Sequence, residues 1–377
     1  MKTVGIIIVR GKTMTEHPIV ILLDSRQAGG IETHVYQLGK ALKDSGWSVE
    51  IWFYQQYQAE HPPEQTLTDS SIKFHYLNGT LSQLISRLKS TQPLLLHTHG
   101  YKAGIFGRLA ALLKRIPVVS TFHNGDPGKG MVRLYTLLDQ LSSPLSENIA
   151  VSDDIAKRYI SSPHRINNFV DIPEPPPSSG KAIAFVGRLS YEKGPDLFLQ
   201  LAKQQPLLPF KLYGSGPMEN LLRKQQINNV TFMGQVNSMD IHWGEIGLLC
   251  ITSRFEGLPM ASLEAMAHGV PVLSFPLGGL PDLIVQGFNG WISPIGDLDS
   301  MSNLLQFWFA MPETVQWQIR EACVATIISQ YSSQAILPQI IEIYQQAVLA
   351  KGCNWPYMPQ QISASDNKTR ERSQSVG

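Results

Sequence analysis

The sequence predicts an α/β fold of two doubly wound domains, and three observations lead there. Short apolar runs alternate with helical segments from residue 19 to 151, a proline-rich break interrupts the pattern at 172–180, and the alternation restarts at residue 182. Such alternation implies mostly parallel sheets with helices on both faces. At 377 residues the chain also exceeds one ordinary domain.

Taken in order, residues 19–23 form a buried strand that ends at Asp24, in a loop carrying Gly29 and Gly30. The helix that follows has one apolar face, Ile31, Val35, Leu38 and Leu42, and Gly46 supplies its stop. A glycine pair after a first strand either receives an anion at the helix N-terminus or is ordinary loop chemistry. Further strands are read at 49–54, 72–77, 94–97, 117–122 and 148–151, with helical segments at 81–88 and 103–113. Two histidine sites stand at strand ends. In HTHG, His97 is still in the strand and reads as a packing residue, whereas His99 is placed in the loop; in TFHNGD, His123 and Asn124 follow the strand. Ligands of open α/β sheets bind at those carboxyl ends. A zinc pair of His97 and His99 is not expected, because residues two apart on a strand point alike and no third ligand is evident.

The segment IPEPPPSSG cannot continue a helix or a sheet interior and reads as the linker. Beyond it, a strand at 182–186 leads into GRLSYEKG, a helix spans 196–204, and a strand at 210–213 ends in GSGP. Arg188 and Lys193, five apart and flanked by Gly187 and Gly194, suit a clamp for two phosphates, against the plainer reading of a solvated loop. GSGP, with Gly214 and Gly216, lacks the third glycine of the dinucleotide fingerprint, which disfavours a nicotinamide enzyme. Strands at 230–232, 246–252 and 271–275 complete the second half, and helices follow at 301–309, 315–329 and 335–349. From 357 to 377 the composition turns polar, the signature of a disordered tail.

The densest stretch is SRFEGLPMASLEAMAHGVPVLSFPLGGLP, residues 253–281. A strand feeds a loop and the loop feeds a helix at 260–268, with Glu256 in the loop and Glu264 inside the helix. The N–H groups of Met260, Ala261 and Ser262 are expected to lack intrahelical acceptors and to hold a phosphate. Carboxylates among small and apolar residues need partners. Beside a diphosphate they suit hydrogen bonds from neutral hydroxyls.

Composition narrows the classes. Net charge is +1 with no basic block, which excludes a nucleic-acid role. Charged residues make up 16%, below the roughly 25% usual in soluble proteins, so burial is extensive or part of the surface meets something apolar. Peripheral contact with the inner membrane face is one expectation. Cys250, Cys323 and Cys353 match no zinc or redox spacing, and their odd number argues against a disulfide framework. The run 4–9 is far shorter than a signal-peptide core, and no apolar run reaches the ~20 residues that span a bilayer, so a cytoplasmic placement is expected. Met14 is a second candidate start.

Together, the glycine pair followed by Glu32, then GRLSYEKG, GSGP and EGLPMASLEAMAHGVPVLSFPLGGLPDLI resemble the retaining nucleotide-sugar glycosyltransferases of family 4, which have the GT-B fold. The resemblance runs from residue 19 to about 349 and rests chiefly on the glutamate stretch. It implies two Rossmann-like domains facing across a cleft: an acceptor-side domain at 14–165, a linker at 166–180, and a nucleotide-sugar-binding domain at 181–332. A helix at 333–356 would pack back towards the first domain, and 357–377 is the tail. It implies that Glu256 contacts hydroxyls of the donor sugar and Glu264 those of the ribose. Arg188 and Lys193 would neutralise the diphosphate, aided by Gly30 and by Met260 to Ser262. His99 would lie near the donor sugar, with His123 and Asn124 as second-rank candidates and Gly29, Gly214 and Gly216 lining the donor.

Neither a metal nor a cofactor is implied. The partners are a nucleoside-diphosphate sugar and a glycan or lipid-linked acceptor of cell-surface polysaccharide or lipopolysaccharide synthesis. With no carboxylate nucleophile evident, retention suggests front-face attack in which the leaving phosphate accepts the acceptor's proton. Asp282 departs from the family's more usual glutamate, and the long loop at 55–71 lies on the acceptor domain. The rival readings are a nucleotide-sugar epimerase of the same fold, a non-catalytic two-lobed ligand-binding protein, and a dinucleotide oxidoreductase.

Overall fold

The computed structural model describes residues 17–24, 29–57, 71–123, 130–173, 178–236 and 238–356. The first unit runs β1 (Ile19–Leu23), α1 (Gly30–Asp44), β2 (Val49–Phe53), β3 (Lys73–Tyr76), α2 (Leu81–Thr91), β4 (Leu95–His99), α3 (Tyr101–Lys114), β5 (Val118–Phe122), α4 (Met131–Ser142), β6 (Glu147–Ala150), α5 (Asp153–Ala156) and β7 (His164–Arg165). Its strands form one sheet in the order β3-β2-β1-β4-β5-β6-β7, with parallel pairing throughout. The second unit follows with β8 (Ala182–Val186), α6 (Pro195–Gln204), β9 (Phe210–Tyr213), α7 (Glu219–Arg223), β10 (Val230–Gly234), α8 (Asp240–Trp243), β11 (Ile246–Ile251), α9 (Met260–Ala267), β12 (Val272–Ser274), α10 (Leu280–Leu283), β13 (Gly290–Ile292), α11 (Leu298–Ala310), α12 (Glu313–Gln330) and α13 (Ser333–Ala350). Here the parallel order is β10-β9-β8-β11-β12-β13. Each half is a doubly wound α/β layer structure, and the whole is the GT-B arrangement.

The strand order fixes where each half can bind. In the first sheet the winding reverses between β1 and β4, and in the second between β8 and β11. At such a switch point the two connections leave in opposite directions and open a crevice beyond the carboxyl ends. The sequence fills these four strands for burial on both faces: IVILL in β1 and IGLLCI in β11 are buried at every position.

The halves are held together by apolar packing and backbone bonds. One core cluster joins Phe122, Val151 and Ile155 of the first unit to Leu258, Met260 and Leu263 of the second. Asn168 Nδ2 donates to the Leu258 carbonyl at 2.8 Å, and Val170 N–H to the Tyr331 carbonyl at 3.0 Å. Helix α13, last in the described chain, puts Ile336, Ile340, Ile343 and Tyr344 into the core of the first sheet. Ser332 caps it by accepting from Ala335 N–H, and Pro338 lies inside it, in the second turn, where its ring offers no N–H to the carbonyl four residues back.

Trp52, Phe53 and Tyr54, in the strand read at 49–54, are core residues, 0%, 2% and 3% exposed. Some expectations change. The fourth strand extends two residues further than its apolar run, so His99 is the last strand residue and wholly buried rather than a loop residue. The polar side chains at 97–99 are tolerated there because they bond to one another's neighbours, Thr98 to Ser120 and His97 to Thr121. Helix α4 had no counterpart in the sequence reading. The start at Met14, most of the loop at 55–71, Asn124, the prolines at 175–177 and the tail at 357–377 lie outside the described residues.

Candidate functional site

The loops that leave the four switch-point strands carry most of the residues singled out from sequence. After β1 comes Gly30, and a Cβ there would stand 3.6 Å from Met260 Cγ at the start of α9. The N-termini of α1 and α9 therefore meet across the cleft. A Cβ on Gly257 would come 2.6 Å from the His123 carbonyl, so the loop after β5 also touches the loop that carries Glu256. A side chain at Gly257 would force the two loops apart, whereas a Cβ at Gly30 would make ordinary van der Waals contact with Met260.

Loop after loop is braced in the second unit. Lys193 Nζ donates to both oxygens of Glu256, at 2.8 and 2.9 Å, and Ser253 Oγ donates to the same carboxylate at 2.6 Å. The Glu256 side chain is only 5% exposed, so its charge is tolerated through these partners. Lys193, expected to clamp a diphosphate together with Arg188, is thus already oriented by a carboxylate. Arg254 locks the same loop from behind: it forms a two-pronged pair with Asp196 at 2.9 and 2.6 Å, donates to the Tyr191 carbonyl at 2.8 Å, and lies over the Tyr191 ring. Arg188 is exposed and has no ion-pair partner among the described residues. Its loop is buttressed by GSGP: Leu189 N–H donates to Ser215, Met218 N–H donates to Leu189, and Cβ atoms on Gly214 or Gly216 would meet Gly187 O at 2.0 Å or Leu189 O at 2.6 Å. In this chain those two glycines serve close loop-on-loop packing beneath Arg188.

Gly194 turns the chain from Lys193 into α6 with φ +65°, and a Cβ there would meet the Thr252 carbonyl at 2.1 Å. Gly194→Ala is expected to destabilise the protein by at least ~2 kcal/mol in a denaturant titration, since it adds left-handed strain to that clash. A loss below about 0.5 kcal/mol would mean that the loop relaxes freely.

At α9 one expectation is corrected. Ser262 N–H is not available to a phosphate, because it donates to the Pro259 carbonyl at 3.1 Å, and Ser262 Oγ donates to the same oxygen at 2.6 Å. The N–H groups of Met260 and Ala261 keep the helix-end role, with no backbone acceptor among the described residues. One turn on, Glu264 is half-buried, and its carboxylate has no hydrogen-bond or ion-pair partner among the described residues. Burial, reinforced by the Asp240 charge, pushes its pKa up to about 7.

Opposite α9, four imidazoles form a group, with His34, His97 and His99 buried and His123 half-buried. His97 is tied to Tyr344 and Thr121, both at 2.7 Å, and packs as expected. His99 Nδ1 and His123 Nε2 share a hydrogen bond at 2.9 Å. His34, from the apolar face of α1, brings its ring to 4.8 Å from that of His123 and 5.4 Å from that of His99. Burial lowers the pKa of His34 to about 4 and of His97 to about 3, and drives those of His99 and His123 down as well, so the group is neutral at pH 7. A neutral imidazole can donate or accept to a sugar hydroxyl without repelling a cation or attracting the diphosphate. The sequence showed no third histidine near His99; the fold supplies two, and the ligand nitrogens of His34, His99 and His123 lie within 4.8 Å of one another, the one such group among the described residues. One nitrogen each of His99 and His123 is engaged in their mutual hydrogen bond.

His34 and Arg254 are the residues that the sequence reading missed. The position of His34 three residues after Ile31, on the inward stripe of α1, was the available signal.

Comparison with known proteins agrees with this fold. The family model for glycosyl transferases group 1 matches residues 170–323, and that for glycosyltransferase family 4 matches residues 28–173. The chain is 28% identical over 228 residues to the O-antigen biosynthesis glycosyltransferase WbnH of Escherichia coli, covering 56% of this chain and 67% of that one. It is 26% identical over 267 residues to UDP-Gal:alpha-D-GlcNAc-diphosphoundecaprenol alpha-1,3-galactosyltransferase of Escherichia coli, covering 60% and 69%. In fold it is similar to Anabaena Alr3699/HepE, solved in complex with UDP, with a TM-score of 0.75 and 19% identity over 87% of this chain and all of that one.

Proposed function

This chain belongs to the glycosyl transferases group 1 family, and from that premise we propose that it moves a sugar, with retention of anomeric configuration, from a nucleoside diphosphate to a glycan or lipid-linked acceptor of cell-surface polysaccharide synthesis. The observation that carries this reading is the meeting of both switch points across one cleft: the start of α9, the unpartnered Glu264 carboxylate, the braced Lys193 and Glu256, and the buried His99. Each has a chemical part. Glu264 accepts from the ribose hydroxyls, as an ionised carboxylate in a half-buried place would. The N–H groups of Met260 and Ala261, with Arg188 and Lys193, lie where negative charge grows as the nucleoside diphosphate leaves. Fixed donors and cations there favour the transition state over the ground state.

Glu256, held by Lys193 and Ser253, accepts from donor-sugar hydroxyls while keeping the ammonium in place. His99 positions the sugar from the other side as a neutral imidazole, and His123 fixes its ring. Without a carboxylate nucleophile in this reading, the acceptor oxygen attacks the front face and passes its proton to the departing phosphate oxygen. The C–O bond to the phosphate breaks as the C–O bond to the acceptor forms, and charge is conserved. Because HepE was solved with UDP, uridine diphosphate sugars are the first donors to test.

Melting curves against uridine, guanosine and adenosine diphosphate sugars, followed by transfer assays with the labelled donor, test this directly. One donor should stabilise the protein by about 2.7 kcal/mol at a hundredfold excess over its Kd, and label should appear on the acceptor with the donor's anomeric configuration. A free epimerised sugar nucleotide made without any acceptor, or a covalent glycosyl-enzyme, would overturn the reading.

A further inference from the structure

Helix α4 and the turn after it expose an apolar ridge on the first unit. Leu134, Leu138, Leu141 and Leu145 recur at spacings of four, three and four, the period of one helix face, yet Leu134 is 47% and Leu141 60% exposed. Helix α3 runs parallel beside it. The Tyr101 and Tyr135 rings stack at 5.8 Å, and Arg108 reaches the Asp139 carbonyl at 3.0 Å and Ser142 Oγ at 2.9 Å. That register puts the exposed Leu112 and Leu113 of α3 alongside Leu145. Soluble monomers rarely leave so many leucines on adjoining helices in water.

The charges around the ridge are one-sided. The exposed charged residues of α3, its C-cap and α4 are Lys114, Arg115 and Arg133, all positive, and the only acidic residue on these helices, Asp139, is buried against Arg108. An ordinary solvated helix carries both signs. Leucines in a setting that is only basic match the interface of a bilayer with anionic headgroups, where apolar side chains enter the acyl boundary and cations meet phosphate. No helix among the described residues is long and apolar enough to cross a membrane, so the contact is lateral. Helix α3 starts at Tyr101, two residues after His99, which places this face beside the candidate site.

We propose that the outer face of α3 and α4 docks on an anionic bilayer surface, so that the acceptor side of the cleft meets a lipid-anchored substrate at the membrane. The docking itself needs no donor, and so it can fail while the transferase reading stands, or the reverse.

Flotation of the full chain with vesicles of phosphatidylcholine alone, and with about 30 mol% phosphatidylglycerol, tests it. Binding is expected only to the anionic vesicles and should fall with added salt. Leu134→Gln/Leu141→Gln and, separately, Lys114→Glu/Arg133→Glu should each lower the bound fraction at least about tenfold, with unchanged melting curves and unchanged donor binding in solution. The inference is overturned if the native chain stays unbound in both vesicle types, or if both double variants bind as well as the native chain. It is equally overturned if sedimentation shows that the leucines serve a dimer of this chain and vesicles do not compete with that dimer.

Discussion

Glu256→Ala is expected to lower kcat by about two to three orders of magnitude while the Kd for the donor changes by no more than about threefold, the cost typical of losing one preorganised polar group at a reacting centre. The carboxylate is nearly buried and receives three hydrogen bonds from two side chains, two from Lys193 and one from Ser253. Alanine removes the acceptor for the donor sugar and at the same time frees the Lys193 ammonium to wander. Ground-state affinity survives, because a freed cation still attracts a diphosphate. Rate does not survive, because a charge that must reorganise stabilises the transition state less than one already in place. Ser253→Ala, which removes one of the three bonds, should act in the same direction with about a tenfold loss. Steady-state kinetics paired with calorimetric donor binding separates the two quantities. Equal losses in kcat and affinity would show that Glu256 is merely a binding residue, and an unchanged kcat would remove it from the site.

The sequence carried the architecture because periodicity and punctuation are local. Fully apolar runs such as IVILL and IGLLCI, followed by glycine or histidine loops, mark the central parallel strands and the edge where ligands bind. What it could not carry are pairings across long separations. Arg254 meets Asp196 fifty-eight residues away, Asn168 meets Leu258 ninety away, and His34 reaches His123 only once α1 packs on its sheet. No pattern within a window of one helix announces these.

Ser262 illustrates a second limit. Its place in the first turn of a helix predicts a free N–H, as for Met260 and Ala261, but the turn is tight enough for that group to bond Pro259. Helix α4 escaped for the opposite reason, since its leucines lie on the solvent side, where an inward stripe was sought. Lys193 was legible as a cation at a strand end; its carboxylate partner, sixty-three residues on, was read as a separate binding group.

Donor affinity is expected to rise about tenfold between pH 6 and pH 8, with a midpoint near 7, because binding selects the ionised form of Glu264. Burial and Asp240 hold this carboxyl at about 7, above the ordinary 4.5. The folded protein without ligand therefore keeps a proton that the unfolded chain has released between those two values. Stability contributed by this group is fully present below about 4.5 and is lost as pH rises through 7. Ribose hydroxyls reverse the preference, since they donate to a carboxylate and pull its pKa down. Affinity and the Glu264 share of stability, read as the difference between the native chain and Glu264→Gln, consequently move in opposite directions over one pH window, a signature that a residue acting only through packing would not produce. The histidines leave the donor titration alone, because His34 at about 4 and His97 at about 3 are already neutral in the fold, with His99 and His123 shifted the same way; the stability they lose as the unfolded chain takes up protons at lower pH is common to both chains and cancels in the difference. A sugar nucleotide is the proper titrant, because its diphosphate is a diester and holds its charge across this range. In Glu264→Gln, donor binding should be ten- to a hundredfold weaker at pH 8 and flat with pH, as fits the loss of hydrogen bonds to a charged group. The same variant without donor should melt higher than the native chain at pH 8 and about equally at pH 5. Calorimetry and melting curves at pH 5, 6 and 8 check both halves. A native affinity that is flat or falls as pH rises would place the ribose away from Glu264, and with it the nucleotide away from α9.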